Sequence, residues 1–236
     1  MGIPVRAART RIEDGADAGP HRPATANAPS ESRQHRAGGA PMLGGMTRYS
    51  PRSIGAEAHR ELSERDDAGR QTEPFTARED GVPVSCIGSP LRCCLRAIRA
   101  GERIALVSYA PLRRWAAATG AAPGAYDEQG PVFIHAEECG GPDAPAPGYP
   151  FAREGALRTL RRYNADGQIA GGRLFEIPED AEAGFDRAFD EAFADPEVAL
   201  VHVRAVEYGC FQFEVRRGDV FEVRRGDVGD GARERA

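Results

Sequence analysis

The sequence predicts an α+β protein: one domain with a mixed or antiparallel sheet, one main amphipathic helix packed on it, and a disordered N-terminal arm. Three observations carry this. "PEDAEAGFDRAFDEAFADP" sets Phe185, Phe189 and Phe193 four residues apart, the spacing of a helical core stripe. Short apolar runs bounded by turn residues lie on either side of it, as strands do. Those runs are neighbours in sequence, a hairpin before the helix and another after it, so strands and helices do not alternate regularly.

The elements follow in order. Residues 1–46 have no aromatic side chain and are rich in Ala, Arg, Pro, Gly and Ser. Such a stretch cannot bury enough apolar area to offset an ordering cost of about 1–2 kcal/mol per residue, so disorder is expected. Met46 offers an alternative start to the chain. The domain is expected over 47–218, with 219–236 as a tail. Ile54, Ala58 and Leu62 recur at four-residue spacing and predict a short helix. "TEPFTAREDGVPVSCIGSP" reads as loop. Strands are predicted at "RIALVSY" (103–109) and "PVFIHA" (131–136), and a hairpin at "LRTLRRYNADGQIAGGRLFEI" turning at "ADG". After the phenylalanine helix, "VALVHVRAV" (198–206) and "CFQFEVRR" (210–217) form the last pair. "FEVRRGDV" then stands twice in tandem, at 213–220 and 221–228; the first copy should take the strand.

Composition excludes several functions. The net charge of -5 argues against a general nucleic-acid binder. All 31 basic residues are arginine, which removes Schiff-base chemistry and a phosphate-loop lysine. No apolar run approaches the ~20 residues that span a bilayer, and the start has no signal-peptide core, so a cytoplasmic protein with no membrane partner is expected. The five cysteines, Cys86, Cys93, Cys94, Cys139 and Cys210, are an odd set that reads as reduced thiols.

Strand parity gathers the candidate site. In "LVHVRA" His202 and Arg204 share a face, and in "CFQFEV" Cys210, Gln212 and Glu214 share one, with Phe211 and Phe213 turned to the core. A plain hairpin sets Arg204 opposite Cys210 and His202 opposite Gln212. Three readings compete. A zinc site would draw on Cys139, His135, Cys210, His202 or the Cys93–Cys94 pair, with Cys139, His135 and Cys94 as the named set, although the spacing lacks a C-x-x-C and adjacent cysteines rarely bind one ion together. A cysteine enzyme would use Cys210 or Cys139 as nucleophile and His202 or His135 as base, with Cys210 and His202 the first choice and Arg204 favouring the thiolate. A binding module would hold an anionic or carbonyl small molecule with Arg204, His135, Tyr208 and Arg92. The binding module is preferred, with no cofactor and no metal assigned. Against all three stands simple packing, with Cys94 and Cys210 in the core and Arg204 paired to Glu207 or Glu214.

Four segments in order, "SPLRCCLRAIRAGERIALVSYAP", "GAYDEQGPVFIHAEEC", "LRRYNADGQI" and "FADPEVALVHVRAVEYGCFQFEVRR", resemble the bacterial family catalogued as domain of unknown function 1203, over roughly 47–217. The resemblance implies a small, single-domain, cytoplasmic bacterial protein without an established activity. By position it singles out Pro90, Arg92, Cys94, Leu95, Gly101, Glu102, Tyr126, His135, Cys139, His202, Arg204, Gly209 and Cys210. Leu91 stands where many relatives have the cysteine of a Pro-Cys-Arg triplet. A metal site that depended on it would lose a ligand unless Cys93 substitutes.

Overall fold

A computed structural model describes residues 47–78, 86–142 and 148–220. The N-terminal arm and the second copy of the octapeptide lie outside the described residues.

The α+β class holds, and the strands divide between two antiparallel sheets. Helix α1 (Ala56–Glu64) buries His59 and Leu62. Strands β1 (Phe75–Thr76), β2 (Arg103–Tyr109) and β3 (Gly130–His135) make the first sheet in that order. Alternation in β2 and β3 turns Ala105, Val107, Val132 and Ile134 to one buried face, while Leu106 pairs with Phe133 on the other side. The far edge of β3 is covered by an ordered loop: Leu91 bridges Phe133 in parallel, and Arg92 N donates to Phe133 O at 2.9 Å.

The second sheet has the order β5-β4-β6-β7, with β4 (Leu157–Asn164), β5 (Ile169–Glu176), β6 (Val198–Ala205) and β7 (Phe211–Arg216). The hairpin between β4 and β5 closes on the Asn164 side chain, which accepts from the backbone N–H of Asp166 and Gln168. Helix α3 (Ala181–Phe193) covers one face, capped by Asp180 through Ala183 N at 3.0 Å. Phe185 and Phe189 are 0% exposed there, packed with Leu160, Val201, Val203, Phe213 and Val215. Asp186 and Asp190, on the outer side of α3, accept hydrogen bonds from Tyr149 and Tyr49. They hold the segment entering the domain, which runs beside β7 through the Tyr49–Val220 and Arg52–Glu214 bridges. The first octapeptide copy does take β7.

The other face carries α2 (Pro111–Thr119), a helix that the sequence reading leaves unassigned. Its signals are present: proline in the first turn and Gly120 ending it at φ 79, in the left-handed region. It packs Leu112, Trp115 and Ala116 against Tyr163 and Leu200, so Trp115 is a core residue.

Phe189 sits at the centre of the α3 core, where truncation leaves a cavity the sheet cannot close. Phe189→Ala should lower the unfolding free energy by about 3–5 kcal/mol in urea melts, with the slope of the transition unchanged. A loss below about 1 kcal/mol would mean that the two layers are not held through this stripe.

Candidate functional site

The β6–β7 hairpin departs from simple parity. Val203 pairs with Phe213 but Arg204 pairs with Phe211, so Gln212 is an extra residue in β7, a β-bulge. His202 therefore faces Glu214 rather than Gln212, and Arg204 faces Phe211 rather than Cys210. The bulge also separates the phenylalanines. Phe213 joins the α3 core, while Phe211 turns to the His202 side, its ring 5.1 Å from the imidazole.

The proposed trio of His202, Arg204 and Cys210 is not assembled. Arg204 points into a shallow cleft, where it lies 3.3 Å from Glu128 and donates to Gly209 O. Its acid is thus Glu128, not Glu207 or Glu214. Cys210 lines a different cavity, with Arg92 the guanidinium whose charge it meets. His202 is 1% exposed, between the rings of Tyr163 and Phe211, with Nε2 3.4 Å from Glu214. Burial lowers its pKa despite that carboxylate, so it is neutral at pH 7. Glu214 stays ionised: His202 and the Arg216 guanidinium outweigh its own burial. Among the described residues neither partner makes a hydrogen bond to a thiol.

The chemistry-bearing residues that do meet are Cys93, Cys94, His135 and Cys139. Their Sγ and Nδ1 atoms all lie within 4.8 Å of one another. Register puts His135 at the end of β3, opposite Ile104, and the bridge to Phe133 brings the Cys93–Cys94 turn alongside it. Nδ1 of His135 is 3.3 Å from Cys93 Sγ and 3.8 Å from Cys94 Sγ, and the His135 backbone N–H donates to Cys93 Sγ at 3.2 Å. The turn is held in an unusual shape. Leu95 has φ 58, the left-handed region that a branched side chain rarely enters. Gly140 and Gly141, at φ 74 and 83, turn the chain sharply just after Cys139.

Hydrogen bonds make Cys94 the hub. It receives them from Cys93, from the Arg96 backbone and from Cys139, which bring its thiol down to about 6. Cys93, which gives the shared proton to Cys94, is pushed up in turn. Burial, and then the charge of Arg96, lower the pKa of His135, leaving a neutral imidazole. Arg96 donates to His135 Nε2 at 2.9 Å and pairs with Glu102 at 2.7 Å, and Glu102 lies 3.9 Å from the same nitrogen. His59 binds the backbone oxygen of His135 at 2.8 Å, which fixes the strand end.

All four donors stand in the wider pool that the sequence offers, beside Cys210 and His202, but the named set of Cys139, His135 and Cys94 leaves Cys93 out. The signal for Cys93 was its place beside Cys94; what hid it was the rule that adjacent cysteines seldom share an ion. The distances bring both within reach of the same nitrogen.

Across the loop from the cluster is a cavity of about 900 Å³. Its apolar lining includes Pro90, Leu106, Phe133 and Phe151. Its polar groups include Arg92, Arg158, Glu207 and Cys210. Two predicted ligand-binding residues, Arg92 and Tyr208, are here; Tyr208 is 87% exposed at the mouth. The other two, His135 and Arg204, are elsewhere.

The model of the family described as protein of unknown function (DUF1203) matches residues 88–217, more than half of the 236 in the chain. The chain belongs to that family. The match takes in the cluster and all of β2 to β7, and begins after α1 and β1, so the family segment is narrower than the 47–217 that the resemblance suggests. No curated protein and no solved structure matches. Among the described residues, no helix is long and apolar enough to cross a membrane.

His135 and His202 both release a proton more readily in the folded chain than the usual histidine value of about 6.5. Below that pH the unfolded chain binds more protons, so stability should fall as pH drops from about 6.5 toward 5. His202→Phe should flatten this fall by up to about 1.4 kcal/mol per pH unit in urea melts across that range. An unchanged slope would show that His202 is not buried in its neutral form.

Proposed function

We propose that the chain is a zinc-binding protein in which Cys93, Cys94, His135 and Cys139 hold one Zn²⁺. The observation that carries this is the convergence of three sulfurs and one imidazole nitrogen within 4.8 Å. A tetrahedral Cys₃His centre with Zn–S of ~2.3 Å and Zn–N of ~2.0–2.1 Å has S···N edges of about 3.6 Å. The two measured sulfur–nitrogen distances, 3.3 and 3.8 Å, straddle that value.

The surroundings suit such an ion. Cys94 already favours its thiolate, and His135 is already neutral, so little proton release opposes binding there. Binding through Nδ1 moves the imidazole proton to Nε2, where Glu102 is the acceptor and Arg96 must turn wholly to Glu102. Three thiolates and one divalent ion leave a net charge of -1, and the Arg96 guanidinium sits beside it to offset that charge. With four protein ligands the centre is closed, and its role is structural: it fastens the 88–98 loop and the turn after β3 to the sheet. The reading carries with it a reducing compartment, the cytoplasm.

Metal analysis of the untagged protein tests this. One equivalent of zinc is expected, lost in Cys139→Ser and in His135→Ala and kept in Cys86→Ser and Cys210→Ser. Substoichiometric zinc in the unmodified chain, or zinc retained by both ligand variants, would overturn the proposal.

A further inference from the structure

The cavity on the other side of the loop that carries Cys93 and Cys94 has features of its own, independent of the zinc reading. Arg92 is 3% exposed, yet among the described residues no carboxylate pairs with it. Its Nε donates to Phe211 O at 2.7 Å and its NH1 to Pro90 O, which leaves part of the fork without a protein anion while the side chain lines the cavity. A buried guanidinium held only by carbonyls keeps its full charge in a poorly solvated place, and an anion is what that charge lacks.

The other charged groups of the cavity supply no surplus of negative charge. Arg158 lies 3.8 Å from Glu207, while Arg153 is exposed at the rim. The lining therefore carries more positive than negative charge, set among Pro90, Leu106, Pro131, Val132, Phe133 and Phe151. The cavity volume of about 900 Å³ is that of sites which enclose whole small ligands.

We propose that this cavity binds an amphipathic monocarboxylate, its headgroup on Arg92 and its apolar body along Leu106, Phe133 and Phe151. The planar guanidinium suits a carboxylate in particular, because NH1 and NH2 keep N–H groups that can meet two oxygens at once. The position of Cys210 in the lining is explained as well: its thiol packs against the ligand rather than attacking it, which accounts for a half-buried cysteine with no base near it.

The test is calorimetric titration of the full chain with sodium decanoate, decanol and decyltrimethylammonium at one salt concentration. Decanoate is expected to bind once per chain, decanol at least tenfold more weakly, and the cation not at all. Arg92→Gln should weaken decanoate at least tenfold. Because Arg92 also holds Phe211, a second variant is needed: Leu106→Glu places a negative charge at a half-exposed position of the lining and should weaken decanoate similarly with an unchanged melting temperature. No saturable decanoate binding, equal binding of decanol, or full affinity in Leu106→Glu would each overturn the proposal. Zinc content, measured on the same samples, reports separately on the metal centre.

Discussion

Arg92 is the joint of the molecule. Its backbone N–H donates to Phe133 O in β3, its carbonyl accepts from Ile54 ahead of α1, and its side chain donates to Phe211 O in β7. One residue thus ties the entering segment, the first sheet and the second sheet. Burial lowers its pKa to about 10, so it remains charged at neutral pH. Taking a charge out of water is costly unless hydrogen bonds replace the lost solvent. Two backbone carbonyls do so in part here, that of Phe211 in β7 and that of Pro90 in the same loop, and they tie the loop that carries Arg92 to the second sheet in the place where both candidate sites need it.

The two sites are the two consequences of that docking. On one side of the loop Cys93 and Cys94 come to the end of β3 and meet His135, with Cys139 returning after a two-glycine turn. On the other side Arg92 itself looks into the cavity beside Cys210. A metal at the first site would hold the cavity wall in place, since only Arg92's own neighbours in sequence separate them. The hairpin of β6 and β7, by contrast, spends its polar residues on the fold. His202 and Glu214 fill a buried gap under Phe211, and Arg204 closes on Glu128.

Much of the fold was legible because periodicity reports directly on burial. The α3 stripe, the bounds of β2 and the turn at Asn164–Gln168 follow from spacing and turn chemistry alone. Helix α2 was overlooked although Pro111 and Gly120 mark its ends, because its arginines and alanines give a faint apolar pattern. The bulge at Gln212 is a different kind of miss. Parity arguments assume an uninterrupted ladder, and one inserted residue reverses every face beyond it without a local signature. That single residue separated Cys210 from Arg204. The Cys/His cluster was half legible: residue types were right, but the approach of Cys93 and Cys94 to a histidine some forty positions away depends on the Leu91–Phe133 bridge, a pairing between a loop and a strand edge that no periodicity announces.

The central claim is that three thiolates and one imidazole converge on a single ion. Zinc K-edge X-ray absorption on the purified protein tests it most directly, because the shell distances of sulfur and nitrogen differ. The account expects three sulfurs at about 2.3 Å and one nitrogen at about 2.0–2.1 Å, with no solvent oxygen. A shell made only of nitrogen and oxygen, or one with a single sulfur, would contradict it.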